Sequence, residues 1–157
     1  MVASVPYNSR VPERKPQAEK ATDVVRHGGL RPLRVLIVED DHDTVRSLML
    51  LLRTEGHETT GVATAKGMWD ALRDAEPDVV LLDINLPDAS GYQVARELRR
   101  RFGEESGKPV LVAVTAWNKG SDKLLAQIAG FDFHLGKPYN PNQLLSILRS
   151  VAVPRHP

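Results

Sequence analysis

The 157-residue sequence contains no cysteine, which excludes disulfide bonds, thiol catalysis and cysteine metal sites. No apolar run approaches the roughly 18 residues of a membrane span, and the N-terminus lacks the apolar core of a signal peptide. These absences predict a cytoplasmic protein with no membrane partner. The formal net charge of only +1 argues against a nucleic-acid partner, because such proteins usually carry a strong basic excess.

The small basic excess lies in residues 1–33, which carry six basic groups and three acids, whereas the remainder carries 15 basic groups and 17 acids and is slightly acidic. Residues 1–32 contain four prolines (Pro6, Pro12, Pro16 and Pro32), scattered charge and no sustained period. Such a segment buries too little apolar surface to offset the entropy of ordering it. We therefore predict a flexible arm over 1–32, either inert or used for docking, then one domain over 33–152 and a short tail over 153–157.

From Leu33 onwards, strand and helix patterns alternate. The runs at 35–38, 79–82 and 110–114 are wholly apolar, as is typical of parallel strands buried on both faces. The segments at 58–62 and 131–135 are mixed, which suits edge strands. Repeated strand–helix units predict an α/β protein with helices on both faces of a parallel sheet. Placing the apolar strands centrally selects a five-stranded sheet of order 2-1-3-4-5, the doubly wound, flavodoxin-like (βα)5 fold.

The helices are predicted from capping residues and from apolar residues at helical spacing. The first begins at the cap Asp43 and stops at Gly56, the second begins at Thr64, the third near Ser90, the fourth spans 119–129, and the fifth begins at Asn140 with Pro141 in its first position. The residues expected to face the core are Val45, Leu48, Met49 and Leu52, then Ala65, Met68, Leu72 and Ala75, then Ala95, Leu98 and Phe102, then Leu124, Leu125 and Ile128, and finally Leu144, Ile147, Leu148 and Val151.

Five polar residues stand where predicted strands end: Glu39, Asp40, Asp83, Thr115 and Lys137. In the predicted strand order, the three acids surround one crevice, with Thr115 and Lys137 on its other side. Crowded carboxylates and hard oxygen ligands suit Mg²⁺. Asp83 is placed to attack phosphorus, Lys137 to supply positive charge and Thr115 to donate a hydrogen bond to a phosphoryl oxygen. The pattern therefore favours phosphoryl transfer, which needs mainly positioning and charge neutralisation.

Each of these residues also has a simpler interpretation. Acids that follow a strand often cap the next helix, which is what we expect of Asp41 and Asp43, and Glu39 and Asp40 taken alone fit capping as well as metal binding. Asp83 alone fits a turn, and Thr115 or Lys137 alone is a weak signal. Their joint occurrence, each at the end of its own strand and in order, favours a common site.

Four stretches resemble the receiver domain of bacterial two-component response regulators. They are 35–41 (VLIVEDD), 77–91 (PDVVLLDINLPDASG), 112–116 (VAVTA) and 130–138 (GFDFHLGKP). The resemblance covers about 33–152 and implies that Asp83 is the phosphoacceptor. It also implies that Mg²⁺ is bound directly by Asp40, Asp83 and the main-chain carbonyl of Asn85, and by Glu39 through water.

The same resemblance implies that Thr115 is the switch hydroxyl, and that Lys137 binds the phosphoryl group and precedes a cis peptide bond to Pro138. His134 departs from the pattern, because many receivers have Tyr or Phe there. It is either a polar edge-strand residue or a charge that tunes the output face near neutral pH. Asn85 and Trp117 each lie two residues beyond a site residue and can border the phosphoryl group. Trp117 either shields it from water or is an exposed loop residue.

We therefore expect a stand-alone receiver that accepts a phosphoryl group from a histidine kinase or histidine phosphotransfer protein onto Asp83, and that catalyses only its own phosphorylation and dephosphorylation. Its output surface would be the fourth helix, fifth strand and fifth helix, including Lys119, Lys123, Gln127 and His134. That surface would act on a downstream protein or form a homodimer, and the first helix would dock the phosphodonor. The alternatives are a phosphate shuttle or sink, a receiver excised from a hybrid histidine kinase, and, remotely, a haloacid-dehalogenase-like phosphatase. The phosphatase would need an Asp where Asn85 stands.

Overall fold

The computed structural model describes residues 30–103, 109–116 and 120–153, and over 120–123 it describes the main chain alone. Strands and helices alternate throughout, as the sequence predicts. The elements are β1 (Arg34–Val38), α1 (His42–Thr54), β2 (Glu58–Val62), α2 (Ala65–Asp74), β3 (Val79–Asp83), α3 (Gly91–Phe102), β4 (Val110–Thr115), α4 (Gly120–Ala129), β5 (Phe133–Gly136) and α5 (Pro141–Ala152).

The five strands form one parallel sheet of order β2-β1-β3-β4-β5, which confirms the predicted topology. Val35 pairs with Val79 and Val79 with Val110, so β1, β3 and β4 lie side by side in register at the centre. Several predicted strand bounds are displaced by one or two residues; for example, β4 ends at Thr115 rather than at 114, and β5 begins at Phe133 rather than at 131. Because all five strands run the same way, their carboxyl ends lie along a single edge of the sheet.

Alternate residues of the central strands point to opposite faces, and each face has its own core. On one face, Leu52 of α1 and Leu148 of α5 pack with Ile37 and Leu81. On the other, α2, α3 and α4 contribute a second cluster that includes Met68, Leu98 and Ala126. This arrangement buries β1, β3 and β4 on both sides, in agreement with their uninterrupted apolar runs.

The helix N-termini mostly follow the predicted capping residues. Thr64 and Asn140 cap α2 and α5 through their side chains, as predicted. Ser90 occupies the cap position of α3, although its side chain makes no capping hydrogen bond within the described residues. For α1 the predicted start at Asp43 was wrong by two residues, but the capping role expected of Asp41 is confirmed, because its Oδ1 accepts a hydrogen bond from Asp43 N at 2.9 Å. Asp43 therefore lies in the first turn of α1, where its main-chain N–H donates to the cap.

The predicted inward face of α4 was wrong. Leu124, Leu125 and Ile128 are 58%, 47% and 67% exposed, whereas Ala126 and Ala129 are buried. Because α4 carries apolar residues around most of its circumference, helical periodicity alone does not select a face. The small alanines allow a close approach to the neighbouring elements, which leaves the large side chains in solvent.

Smaller corrections concern helix ends. Phe102 was expected to be inward but is 46% exposed at the last position of α3. Ala75 is exposed because it takes an extended conformation as the C-cap of α2 and so leaves the helical face. In α5, Leu145 is buried while Ile147 and Val151 are only partly buried, so the inward stripe is rotated from the predicted one.

Contacts with the domain begin slightly before the predicted start at residue 33. Leu30 packs against the first core cluster. Arg31 Nη1 lies 3.2 Å from Oδ1 of the buried Asp78. The prediction of a flexible arm over 1–32 falls mainly on 1–29, which lie outside the described residues.

Among the described helices, none is both long enough and apolar enough to cross a lipid bilayer.

Candidate functional site at the carboxyl edge of the sheet

Three acids from two neighbouring strands meet at the carboxyl edge. Glu39 and Asp40 follow β1, and Asp83 is the last residue of β3. Their ligand oxygens all lie within 4.8 Å of one another. Glu39 and Asp83 are buried, whereas Asp40 is exposed at the mouth of the crevice. The structure thus brings together the three carboxylates that the sequence placed at one crevice.

Lys137 supplies the positive charge of this cluster. Its Nζ donates a hydrogen bond to Glu39 Oε2 at 2.7 Å and lies 3.5 Å from Asp83 Oδ2. The Lys137 main-chain N–H also donates to the carbonyl of Thr115 at 2.6 Å, which fixes the end of β5 against the end of β4. The peptide bond to Pro138 is cis, as the sequence resemblance implied.

The Asp83 carboxylate is held in a defined orientation. The N–H of Asn85 donates a hydrogen bond to Asp83 Oδ1 at 2.9 Å, while Oδ2 faces Lys137. The N–H of Ile84 bonds to the carbonyl of Val114 at 3.3 Å, so the main chain remains beside β4 just beyond the strand. The Asn85 N–H therefore fixes the orientation of the Asp83 carboxylate through Oδ1, and Oδ2 points towards the ammonium group of Lys137.

The electrostatics reflect two buried carboxylates, Glu39 and Asp83, that share the ammonium group of Lys137. Burial raises the pKa of Glu39, and the charge of Asp83 adds to this effect, against the lowering caused by the Lys137 hydrogen bond and the Asp41 N–H. Burial alone would lower the pKa of Lys137, but its hydrogen bond to Glu39 and the charges of Asp83 and Glu39 outweigh burial and raise it. The lysine therefore remains charged, and the crowding of carboxylates that raises the pKa of Glu39 favours a further cation at this edge.

The donor set fits a hard divalent cation. Carboxylate and carbonyl oxygens are the ligands that Mg²⁺ prefers, and it usually takes one or two carboxylates and retains several waters. The exposed Asp40 and Asn85 leave the outer side of the site open to solvent. The described residues contain no sulfur or imidazole ligand in this cluster, so a softer metal is not indicated.

Thr115 and His134 lie on the same face of the sheet. Thr115 is fully buried at the end of β4, two residues beyond Ala113, and Ala113 pairs with His134 on β5. Since strand side chains alternate, Thr115, Ala113 and His134 share the face covered by α2, α3 and α4. His134 is thus set back from the acidic crevice and lies on the same face as α4. Trp117, Lys119 and the side chain of Lys123 lie outside the described residues.

Two residues near the site were not singled out from the sequence. Asp88, in the loop after β3, accepts hydrogen bonds from the N–H groups of Ala65 and Lys66. Gly91 packs so closely that an added Cβ would lie 2.7 Å from the carbonyl oxygen of Asp83. Both contacts depend on how β3, α2 and α3 pack. Local spacing in the sequence carries no signal for them.

Comparisons with known proteins converge on one family. The family model described as "Response regulator receiver domain" matches residues 35–149. The DNA-binding response regulator MtrA of Mycobacterium tuberculosis is 35% identical over 117 residues, covering 74% of this chain and 49% of that protein. The chain therefore spans about half the length of the curated relatives it matches.

Solved structures give the same result. A CheY-like response regulator receiver domain protein from Methanospirillum hungatei JF-1 aligns with a TM-score of 0.68 and 28% identity, covering 76% of this chain and 93% of that one. The receiver domain of the sensor histidine kinase PA1611 from Pseudomonas aeruginosa PAO1 aligns with a TM-score of 0.67 and 27% identity, covering 78% and 98%. That structure has a magnesium ion coordinated in its active-site cleft.

Proposed function

This chain belongs to the response regulator receiver domain family, and from that premise we propose that it accepts a phosphoryl group from a phosphohistidine onto Asp83. The observation that carries the proposal is the environment of this carboxylate. Asp83 is buried at a strand end, oriented by the N–H of Asn85 and faced by Lys137. A fixed carboxylate beside a cation is suited to attack on phosphorus.

The transfer conserves atoms and charge without an additional reagent. A carboxylate oxygen of Asp83 forms the new O–P bond while the P–N bond of the phosphohistidine breaks. The electron pair of that bond leaves with the imidazole nitrogen, which takes up a proton from solvent. Lys137 and the hydroxyl of Thr115 bind the phosphoryl oxygens, which carry the negative charge through the transfer.

Mg²⁺ is the cofactor that these residues would hold. Asp40, Asp83 and the carbonyl of Asn85 would bind it directly, and Glu39 through water. The clustering of the three carboxylates supports this assignment, as does the magnesium in the cleft of the P. aeruginosa receiver domain. When bound, the ion offsets the repulsion between the acids and the incoming phosphoryl group.

The output surface is assigned to α4, β5 and α5, where phosphorylation would bias a two-state equilibrium. Thr115 and His134 share the sheet face covered by α4. Leu124 and Ile128 of α4 and Phe133 of β5 are exposed apolar residues, and a protein partner can cover such residues. The partner is a downstream protein or a second copy of this chain, and the surface of α1 receives the phosphodonor.

The alternatives differ in how the chemistry is used. A phosphate shuttle or sink and a hybrid-kinase receiver would use the same Asp83 chemistry, so both stay open beside the expected stand-alone regulator. Membership of the receiver family removes the ground for a haloacid-dehalogenase-like phosphatase. The DNA-binding activity in the relatives' names is theirs, because this chain spans only about half of their length.

The test is incubation with acetyl phosphate and Mg²⁺, followed by intact-protein mass measurement. We expect the wild type to gain one acid-stable, base-labile phosphoryl group and Asp83→Asn to gain none. Asp74→Asn is the matched control, because Asp74 is an exposed aspartate at the end of α2, and it should behave as the wild type. A wild type that gains no phosphoryl group, or an Asp83→Asn variant that gains one equally well, would contradict the proposal.

A further inference from the structure

The loop that follows Asp83 is attached to a helix from a different part of the chain. Asp88 lies in this loop, and both of its carboxylate oxygens are used. The N–H of Ala65 donates to Oδ1 at 2.9 Å, and the N–H of Lys66 donates to Oδ2 at 3.0 Å. The N–H groups in the first turn of a helix have no partner within the helix, and the helix dipole favours negative charge there. Asp88 thus ties the loop to the start of α2.

The base of the same loop is closed against β3. Asn85 and Ser90 form an antiparallel bridge, and the N–H of Gly91 donates to the carbonyl of Ile84 at 2.8 Å. A Cβ at Gly91 would lie 2.6 Å from Ile84 Cα, so only glycine permits this approach. The loop therefore has two attachments, one at its base and one through Asp88.

Asn85 is the first residue of the bridge at the base of the loop, three residues before Asp88. Its N–H donates to Asp83 Oδ1 at 2.9 Å, and its carbonyl is a proposed Mg²⁺ ligand. If the loop moved away from α2, both the hydrogen bond that orients Asp83 and the position of that carbonyl would change. The two hydrogen bonds also lower the pKa of Asp88, which keeps this carboxylate ionised at neutral pH.

We propose that Asp88 is a positioning residue, which holds the loop after β3 against α2 so that Asn85 orients Asp83 and presents its carbonyl to the metal. Asp88 does not itself touch the phosphoryl group, because both of its oxygens are bonded to α2. The inference rests on the proposed function and adds a residue that acts on the site through another. It predicts that cutting this tie weakens the site even when α2 remains folded.

Thr64 offers a matched control in the same helix. Its Oγ1 accepts a hydrogen bond from the N–H of Gly67 at 2.9 Å, so it also satisfies the first turn of α2. Thr64→Ala removes a cap from α2 without touching the loop, whereas Asp88→Ala removes a cap and frees the loop. A difference between the two variants therefore reports on the loop and not on the stability of the helix.

The experiment compares the full chain as wild type, Asp88→Ala and Thr64→Ala. Amide hydrogen exchange of Asn85 is measured by NMR without metal, and Mg²⁺ affinity is measured by calorimetry without a phosphodonor. We expect Asp88→Ala to exchange faster at Asn85 and to bind Mg²⁺ about 10-fold more weakly, at the low end of the effect of outer-shell partners. Thr64→Ala should match the wild type in both measurements, although both variants melt at lower temperature.

Equal changes in the two variants, or wild-type Mg²⁺ affinity in Asp88→Ala, would overturn the inference. If Asp88→Ala does not fold, Asp88→Asn makes the same comparison, since it retains one carbonyl acceptor and loses the second. A wild type that is phosphorylated on Asp83 while Asp88→Ala behaves identically overturns this inference alone. A wild type that neither binds Mg²⁺ nor gains a phosphoryl group overturns the proposed function, and this inference with it.

Discussion

Two buried carboxylates stand at the carboxyl edge, and their hydrogen bonds give them different roles. Both oxygens of Glu39 are used, Oε2 by Lys137 at 2.7 Å and Oε1 by the N–H of Asp41 at 3.2 Å. Asp83 uses Oδ1 for the N–H of Asn85, while Oδ2 is 3.5 Å from Lys137. Asp83 is therefore better placed to form a new bond, and Glu39 is better placed to hold the lysine.

We expect His57, which precedes β2, to make the stability of the fold depend on pH. His57 Nδ1 accepts a hydrogen bond from the N–H of Leu33 at 3.1 Å. Burial lowers the pKa of His57 below its usual 6.5, against a smaller opposing effect of Glu55. As pH falls below about 6.5, the unfolded chain takes up a proton that the folded chain resists, so the free energy of unfolding decreases.

We expect His57→Asn to reduce this dependence, because the asparagine oxygen can accept the same hydrogen bond and does not titrate. Urea unfolding at about pH 7.5 and about pH 5.5 should show a smaller loss of unfolding free energy in His57→Asn than in the wild type. The exposed His42 provides the control, and His42→Asn should retain the wild-type loss. An identical loss in His57→Asn and the wild type would show that His57 does not titrate with folding.

At the scale of elements, α4 and α5 show why apolar periodicity identifies a helix more securely than its buried face. In α5 the apolar residues concentrate on one side, and Leu144 and Leu148 are fully buried as predicted. In α4 they surround the helix, and packing selected Ala126 and Ala129.

Truncating an exposed residue of α4 and a buried residue of α5 should change the free energy of unfolding by different amounts. We expect Ile128→Ala to change the free energy of unfolding by less than about 0.5 kcal/mol, as for exposed sites. Leu148→Ala should cost about 2–5 kcal/mol through lost burial and a cavity. Urea unfolding of both variants measures this, and an Ile128→Ala cost equal to that of Leu148→Ala would mean that α4 is seated with its large side chains inward.

At the scale of the whole molecule, charged groups have different roles at the two edges of the sheet. At the amino edge, charged groups tie elements together. Arg99 donates to the carbonyls of Gly130 and Pro109 and to Asp132, and the buried Asp78 accepts from the N–H of Arg34. At the carboxyl edge, three acids cluster and Lys137 pairs with two of them, Glu39 and Asp83. The stabilising charge network and the proposed chemistry are therefore on opposite sides of the molecule.

Contacts at the amino edge determine the residue at which the folded domain begins. Leu30 packs on the first core and Arg31 pairs with Asp78, whereas the composition of 1–29 offers little apolar surface for burial. We expect a chain that starts at residue 30 to unfold like the full chain in urea. A chain that starts at residue 33 should lose about 1–2 kcal/mol, from apolar packing and a partly exposed ion pair. Equal stability of the two shortened chains would contradict this boundary.

The sequence by itself determined the order of elements, the strand order and the residues gathered at the carboxyl edge. Each of these follows from local pattern: apolar runs identify central strands, and parallel strands bring their carboxyl ends to one edge. Asp83, Glu39 and Lys137 could be placed together because each stands where a strand ends. Helix caps such as Thr64 and Asn140 were predictable for the same local reason.

Only the tertiary structure decided which side of α4 is buried and what the loop after Asp83 is tied to. These depend on distances between segments far apart in the chain. The hydrogen bond from Ala65 to Asp88 spans 23 residues, and the ion pair between Glu39 and Lys137 spans 98. Sequence pattern reports what each segment prefers, but the partner of a side chain is set by packing. For that reason Asp83 was identified from the sequence, whereas the residue proposed to position it appeared only in the fold.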